Sequence, residues 1–221
     1  MPNDWPHLAR RALDTVVERL HDPAAGGVAL VGNEGVGKTT LAANAAQRLG
    51  RGEPLWVVGT ATQSMVPFGA FGDLIDVHDA GRPAALIRSA ADSLLAQADS
   101  APIIVDNARL LDPLSASLVY HLAQESSRGA ASRLIVTVRS VLRAPQVVAA
   151  LWEDGLLARC PIEPLDGRET AELVAAAGEV RLGIPFDQPD VLATGGFGVR
   201  LARERGLLLR AAPWSEGDGL D

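Results

Sequence analysis

A single lysine and a single cysteine stand among 221 residues, and aromatic side chains make up only 4% of the chain. The lone cysteine, Cys160, excludes an internal disulfide framework and fits a reducing compartment; it reads as a small hydrophobe at a strand end. With so few aromatics, the core must be built from Val, Leu, Ile and Ala, which the 48% hydrophobic content supplies. No apolar run approaches the roughly 20 residues that cross a bilayer. The start, Met1-Pro2-Asn3-Asp4-Trp5, lacks a basic stretch followed by an apolar one. Neither a membrane segment nor a secretory signal is therefore expected, and the cytoplasm is the default location. Acids outnumber bases 27 to 20, a net charge of −7, so the chain carries no electrostatic footprint for nucleic acid or an anionic membrane. Action on DNA would require residues outside this chain, or a partner.

Other absences narrow the chemistry. His7, His21, His78 and His121 share no metal-ligand spacing. Ser64 and Ser140 stand in no nucleophile motif. Trp5, Trp56, Trp152 and Trp214 are too scattered to form a stacking platform for single-stranded nucleic acid.

What is present alternates. Apolar residues recur at helical spacing from His7 to Leu20, then Val28-Ala29-Leu30-Val31 reads as a buried strand. Thr39 to Leu49 reads as a helix ended by Gly50, and Leu55 to Val58 as the next strand. Val66 to Ile75 reads as a short helix and Pro83 to Ala98 as a longer one. Pro102 to Val105 is a strand, Pro113 to about Ser127 a helix, Arg133 to Val138 a fourth strand and Leu156 to Cys160 a shorter fifth. Strands and helices in this rhythm predict an α/β domain, a parallel sheet covered on both faces, over 1–163. Beyond Pro164 the pattern shifts: Gly167 to Ala177 and Val199 to Leu209 read as helical, so 164–221 is expected to begin a helical lid subdomain. Ser215 to Asp221 reads as a frayed end.

The one lysine sits in Gly32-Asn33-Glu34-Gly35-Val36-Gly37-Lys38-Thr39, with a strand before it and a helix starting within it. That is the phosphate-loop pattern Gly-x4-Gly-Lys-Thr in its required context. Glycines let the backbone curl so that successive N–H groups face one anion, and the helix amino end adds positive potential. Lys38 is a compact cation that can sit between the β- and γ-phosphates of a nucleotide. Thr39 offers a hydroxyl to Mg²⁺, and Thr40 reaches toward the α-phosphate. A chance glycine turn capping a helix is the competing explanation, and the lone lysine in this position weighs against it.

Two strand ends carry the remaining candidates. Pro102-Ile103-Ile104-Val105-Asp106 is an apolar strand ending in a carboxylate, suited to holding Mg²⁺ beside the loop hydroxyl; the alternative is an Asp that caps a turn. Residue 107 is where hydrolytic relatives place a second carboxylate to deprotonate the attacking water. Asn107 can orient a water but cannot take its proton, which predicts slow hydrolysis. Arg139 follows the fourth strand at the carboxyl edge where ligands bind and can sense a γ-phosphate; an ordinary surface arginine is its competitor.

Together these segments resemble the STAND class of signalling ATPases, and within it the large ATP-binding LuxR-type transcriptional regulators. The likeness rests on Val31 to Ala42, on Val66-Pro67-Phe68-Gly69-Ala70-Phe71, on Ile104 to Asp112 and on Leu134 to Arg139. It extends to Ile162-Glu163-Pro164-Leu165-Asp166 and Ala193-Thr194-Gly195-Gly196. The resemblance implies an AAA-like three-layer αβα sandwich with sheet order 5-1-4-3-2 and ATP rather than GTP. It also implies a switch whose nucleotide state controls an output surface, acting through a protein partner or an effector domain, with room for nucleotide-dependent oligomers. In that class a winged-helix module, sensor repeats and a DNA-binding helix-turn-helix follow the matched segment. The chain departs from the class pattern at Asn107, at Gly198 where relatives carry a proline near adenine, and at Leu8-Ala9-Arg10 beside the base. Two other functions compete: an interaction module that keeps the fold without hydrolysis, and a small-molecule kinase, for which the stretch after Arg139 offers no clear lid.

Overall fold

Five short strands, four of them apolar runs without a charged residue before the last position, pair side by side in one direction. The computed structural model describes residues 7–72, 74–75, 82–139, 144–164, 200–202 and 208–210, with 7–10 and the last two stretches described as backbone only. Its strands are β1 (Gly27–Val31), β2 (Leu55–Val58), β3 (Ile103–Asp106), β4 (Leu134–Val138) and β5 (Ala158–Pro161). They form one parallel sheet in the order β2-β3-β4-β1-β5. This is the expected 5-1-4-3-2 order. Parallel neighbours need crossovers, and four helices supply them: α2 (Lys38–Leu49), α3 (Pro83–Ala98), α4 (Pro113–Ser127) and α5 (Gln146–Glu153), while α1 (His7–His21) precedes β1.

Strand alternation divides the core into two layers. Ala29, Val31, Val57, Ile103, Val105, Leu134, Val136 and Val138 face one side, packed with α3, α4 and α5 residues such as Leu94, Leu118, Leu122 and Leu151. Val28, Leu30, Ile104, Ile135 and Cys160 face the other, against Val16 and Leu20 of α1 and Leu41, Ala42, Ala45 and Ala46 of α2. Alanines on α2 let that helix lie close to the sheet. The side chains of β1, β3 and β4 are buried throughout, which is why these strands read as continuous apolar runs rather than as alternating ones. Among the described residues no helix is long and apolar enough to cross a membrane.

Three readings need correction. In place of the helix expected over Val66 to Ile75 there is a single 3₁₀ turn, Gly69–Phe71, preceded by another at Gln63–Met65. Phe68 between them is left-handed, with φ of 55°, a conformation that breaks a helix. The region after Arg139 contains α5, which sequence periodicity did not reveal. Within the span Val199 to Leu209, expected to be helical, Arg200–Ala202 (β6) and Leu208–Arg210 (β7) form an antiparallel pair. Gly206 between them disfavours a helix, and consecutive Leu207, Leu208 and Leu209 fit a strand equally well. The rest of the expected lid, including Gly167 to Ala177, Ala193 to Gly196, Gly198 and Ser215 to Asp221, lies outside the described residues, as do Trp5, His78, Ser140 and Trp214.

Candidate functional site

Register assembles the site. Val31 of β1 pairs with Val138 of β4, and the Gly32 amide donates to the Val138 carbonyl at 3.2 Å. The chain leaving β1 into the phosphate loop therefore starts level with Arg139. Val105 pairs with Val136, which sets Asp106 level with Thr137. By alternation Asp106, Thr137 and Arg139 all belong to the α2 side of the sheet, at its carboxyl edge.

The loop glycines have separable reasons. Gly35 and Gly37 have φ of 80° and 85°, where a Cβ is strained. Gly32 is instead a close approach: a Cβ there would lie 2.3 Å from the Ile162 carbonyl oxygen, which follows β5. Val36 is half-buried behind the loop, while Asn33, Glu34, Gly35 and Gly37 are exposed. Lys38, the first residue of α2, is buried and folds back over the loop. Its Nζ donates to the Gly32 carbonyl at 3.0 Å and the Asn33 carbonyl at 2.6 Å. Burial pushes the Lys38 ammonium down from its usual 10.5, opposed by Asp106; Arg139 pushes it down further and Glu34 pulls it up.

Beside it, Thr39 Oγ1 donates to both Asp106 oxygens, at 2.9 and 3.2 Å. Asp106 is buried and also accepts from the Thr137 hydroxyl and from the Asn107 amide at 3.2 Å. A hydroxyl and a carboxylate in contact are hard oxygen donors. They suit Mg²⁺, which takes one or two protein oxygens and completes its shell with phosphate and water. Among the described residues no group of three or more His, Cys, Asp or Glu side chains could form an all-protein metal cage.

Asn107 takes a left-handed conformation, φ 56°, and its amide also donates to Thr137 Oγ1 at 3.0 Å. The turn that follows, Ala108–Leu110, is 3₁₀ and carries Arg109 and Leu110 to the site. Glu34, Gly35, Gly37, Lys38, Thr39, Asn107 and Arg139 line one cleft of about 400 Å³ together with Arg109 and Leu110. Asp106 lies beneath Thr39, Thr40 is half-buried on α2, and Gly32, Asn33 and Val36 shape the loop without lining the cleft. Arg139 forms an ion pair with Glu34.

Sequence reasoning missed Thr137, Arg109 and Leu110. Thr137 could have been found as the one hydroxyl inside an apolar strand, since a buried polar group needs a partner. Asn at 107, a residue that tolerates left-handed backbone, was a signal for the turn presenting Arg109.

The Val66 to Phe71 segment stands apart from this cleft. Its Phe68 and Gly69 amides donate to Asp112 at 3.1 and 3.2 Å. Phe68 and Phe71 are buried in the α3/α4 layer. The remaining histidine and cysteine readings are uneventful. His21 Nδ1 donates to the Val17 carbonyl at 2.7 Å, and Cys160 is buried on β5 with its thiol pushed up by burial.

No known family's profile and no curated protein matches the sequence. Solved structures do match. Orc1 of Aeropyrum pernix, solved in complex with DNA, is similar at 19% identity and a TM-score of 0.52, over 80% of this chain and 50% of that one. The RuvB Holliday junction branch migration motor of Thermotoga maritima matches at 15% identity and 0.48, over 77% and 49%. A Walker-type ATPase of Pyrococcus abyssi matches at 16% and 0.49, over 81% and 59%. The chain thus spans half to three-fifths of the length of these structures. The Orc1 likeness, with the sheet order and the loop, makes this the P-loop NTPase α/β fold.

Proposed function

We propose that this chain is the Mg-ATP-binding module of a signalling ATPase, with slow hydrolysis and an output delivered through a partner or a further domain. One observation carries the reading: Lys38, Thr39 and Arg139 line a single cleft, with the Asp106 carboxylate bonded to Thr39 beneath it. Each then has a task. Loop amides and the α2 amino end receive the phosphates, and Lys38 exchanges its two carbonyl partners for phosphate oxygens. Thr39 and Asp106 hold Mg²⁺, which when bound neutralises phosphate charge. Arg139 meets the terminal phosphate, and Asn107 orients a water without accepting its proton.

Adenine specificity and the STAND and LuxR-type assignment rest on the sequence resemblance; the cytoplasmic setting rests on the composition and the amino-terminal sequence, and the division at 163/164 on the change of pattern after Pro164. The DNA of the Orc1 complex belongs to that protein; the −7 charge of this chain argues against direct contact. Thermal denaturation tests the reading: Mg-ATP should raise the melting temperature of the full chain, and Lys38→Ala should abolish the rise. The competing reading, an interaction module that keeps the fold without nucleotide response, draws on Lys38 and Arg139 both having partners within the chain. A flat response in both proteins would favour it.

A further inference from the structure

We propose that Glu34 tunes the preference of this cleft for a third phosphate by competing with that phosphate for Arg139. The inference rests on the nucleotide reading above and concerns a loop residue to which the phosphate-loop pattern itself assigns no side-chain role.

A carboxylate two residues into a phosphate loop is electrostatically adverse, because the loop gathers N–H groups for an anion. Here the register explains how it is tolerated. Gly32 and Arg139 follow the paired residues Val31 and Val138, so the loop rises beside the end of β4, and the Glu34 carboxylate pairs with the Arg139 guanidinium. Both side chains are substantially solvent-exposed and both line the same cleft. Arg139 is thus charge-satisfied by the protein itself before any ligand arrives.

A triphosphate presenting its last group to Arg139 must replace the Glu34 carboxylate. A diphosphate, held by loop amides and Lys38, has no third group to offer and leaves the pair in place. The carboxylate therefore subtracts from triphosphate affinity selectively, and Arg139 is the residue through which it acts. Glu34 is a positioning residue, not a catalytic one.

Calorimetric titration of the full chain with Mg-ATP and Mg-ADP tests this in wild type, E34Q, R139Q and the double variant E34Q/R139Q. Exposed ion pairs set the scale: E34Q should tighten ATP about two- to fivefold and leave ADP unchanged. In the R139Q background the same change should do nothing, and E34D should keep the wild-type ratio. Equal gains for ATP and ADP that persist in R139Q would make Glu34 a mere background charge and overturn the proposal. Unchanged ATP affinity in E34Q, with wild type binding normally, would overturn it too. Failure of wild type and E34Q alike to bind ATP would sink the nucleotide reading itself, and this inference with it.

Discussion

Thr137 on β4 donates its hydroxyl to the Asp106 carboxylate on β3, one strand away and beneath the first turn of α2. Asp106 receives Thr39 and the Asn107 amide as well, so its orientation is fixed from three elements before any metal binds. Replacing Thr137 by the isosteric Val removes one donor to Asp106 and one acceptor of the Asn107 amide and leaves the packing nearly unchanged. The expected loss is about 1–2 kcal/mol of stability, with weaker Mg²⁺-dependent nucleotide binding. Urea denaturation and titration at varied Mg²⁺ check this; unchanged values in both would mean Thr137 does not orient the carboxylate.

Asp112 is the second buried carboxylate, and its role is architectural. It caps α4 by accepting from the Leu114 and Ser115 amides at 3.0 and 3.1 Å, and it also receives the Ser115 hydroxyl. The Phe68 and Gly69 amides bind it from the loop after β2. Asp112→Ala should cost about 2–4 kcal/mol, combining a lost cap with stranded amides. Ser115→Ala, which removes one donor and strands no amide, should cost distinctly less. Comparable urea midpoints for the two variants would contradict this.

Asn107 sits at φ 56°, which Asn and Asp tolerate far better than longer side chains. The carboxylate that tests hydrolysis should therefore be introduced as Asn107→Asp, since Asn107→Glu would add backbone strain. Phosphate release should rise about a hundredfold if residue 107 faces the attacking water, the lower end of what a general base provides. Unchanged release with ATP still bound would place the water elsewhere.

Cys160 reports on the sheet. Burial raises its thiol above the ordinary 9.0, with Arg19 opposing. A raised acid binds its proton more tightly folded than unfolded, so the native state is favoured less as pH climbs past 9.0. Alkylation of the native thiol at pH 8 should be much slower than in urea, and stability should decline above pH 9 more steeply in wild type than in Cys160→Ala. Equal alkylation rates in the two states would contradict the burial.

The long elements were legible because they obey one rule at a time. α3 and α4 start at Pro83 and Pro113, where proline is pre-organised for a first turn, and the observed bounds are the expected ones. α5 was not legible: its eight residues include the unbroken apolar stretch Val147 to Trp152, with little polar face to set a period. The turns around Phe68 depend on Asp112, 44 residues away, which no local pattern records. In the cleft, the loop and Asp106 follow from spacing, but the Glu34–Arg139 pair joins residues 105 positions apart and emerges only once β1 and β4 are in register.

The most direct measurement of the central claim is isothermal titration calorimetry of the full, folded chain with millimolar ATP and Mg²⁺, alongside Lys38→Ala. The account predicts saturable heat in wild type that disappears with the lysine. No heat from folded wild-type protein, or the same heat from Lys38→Ala, would contradict it.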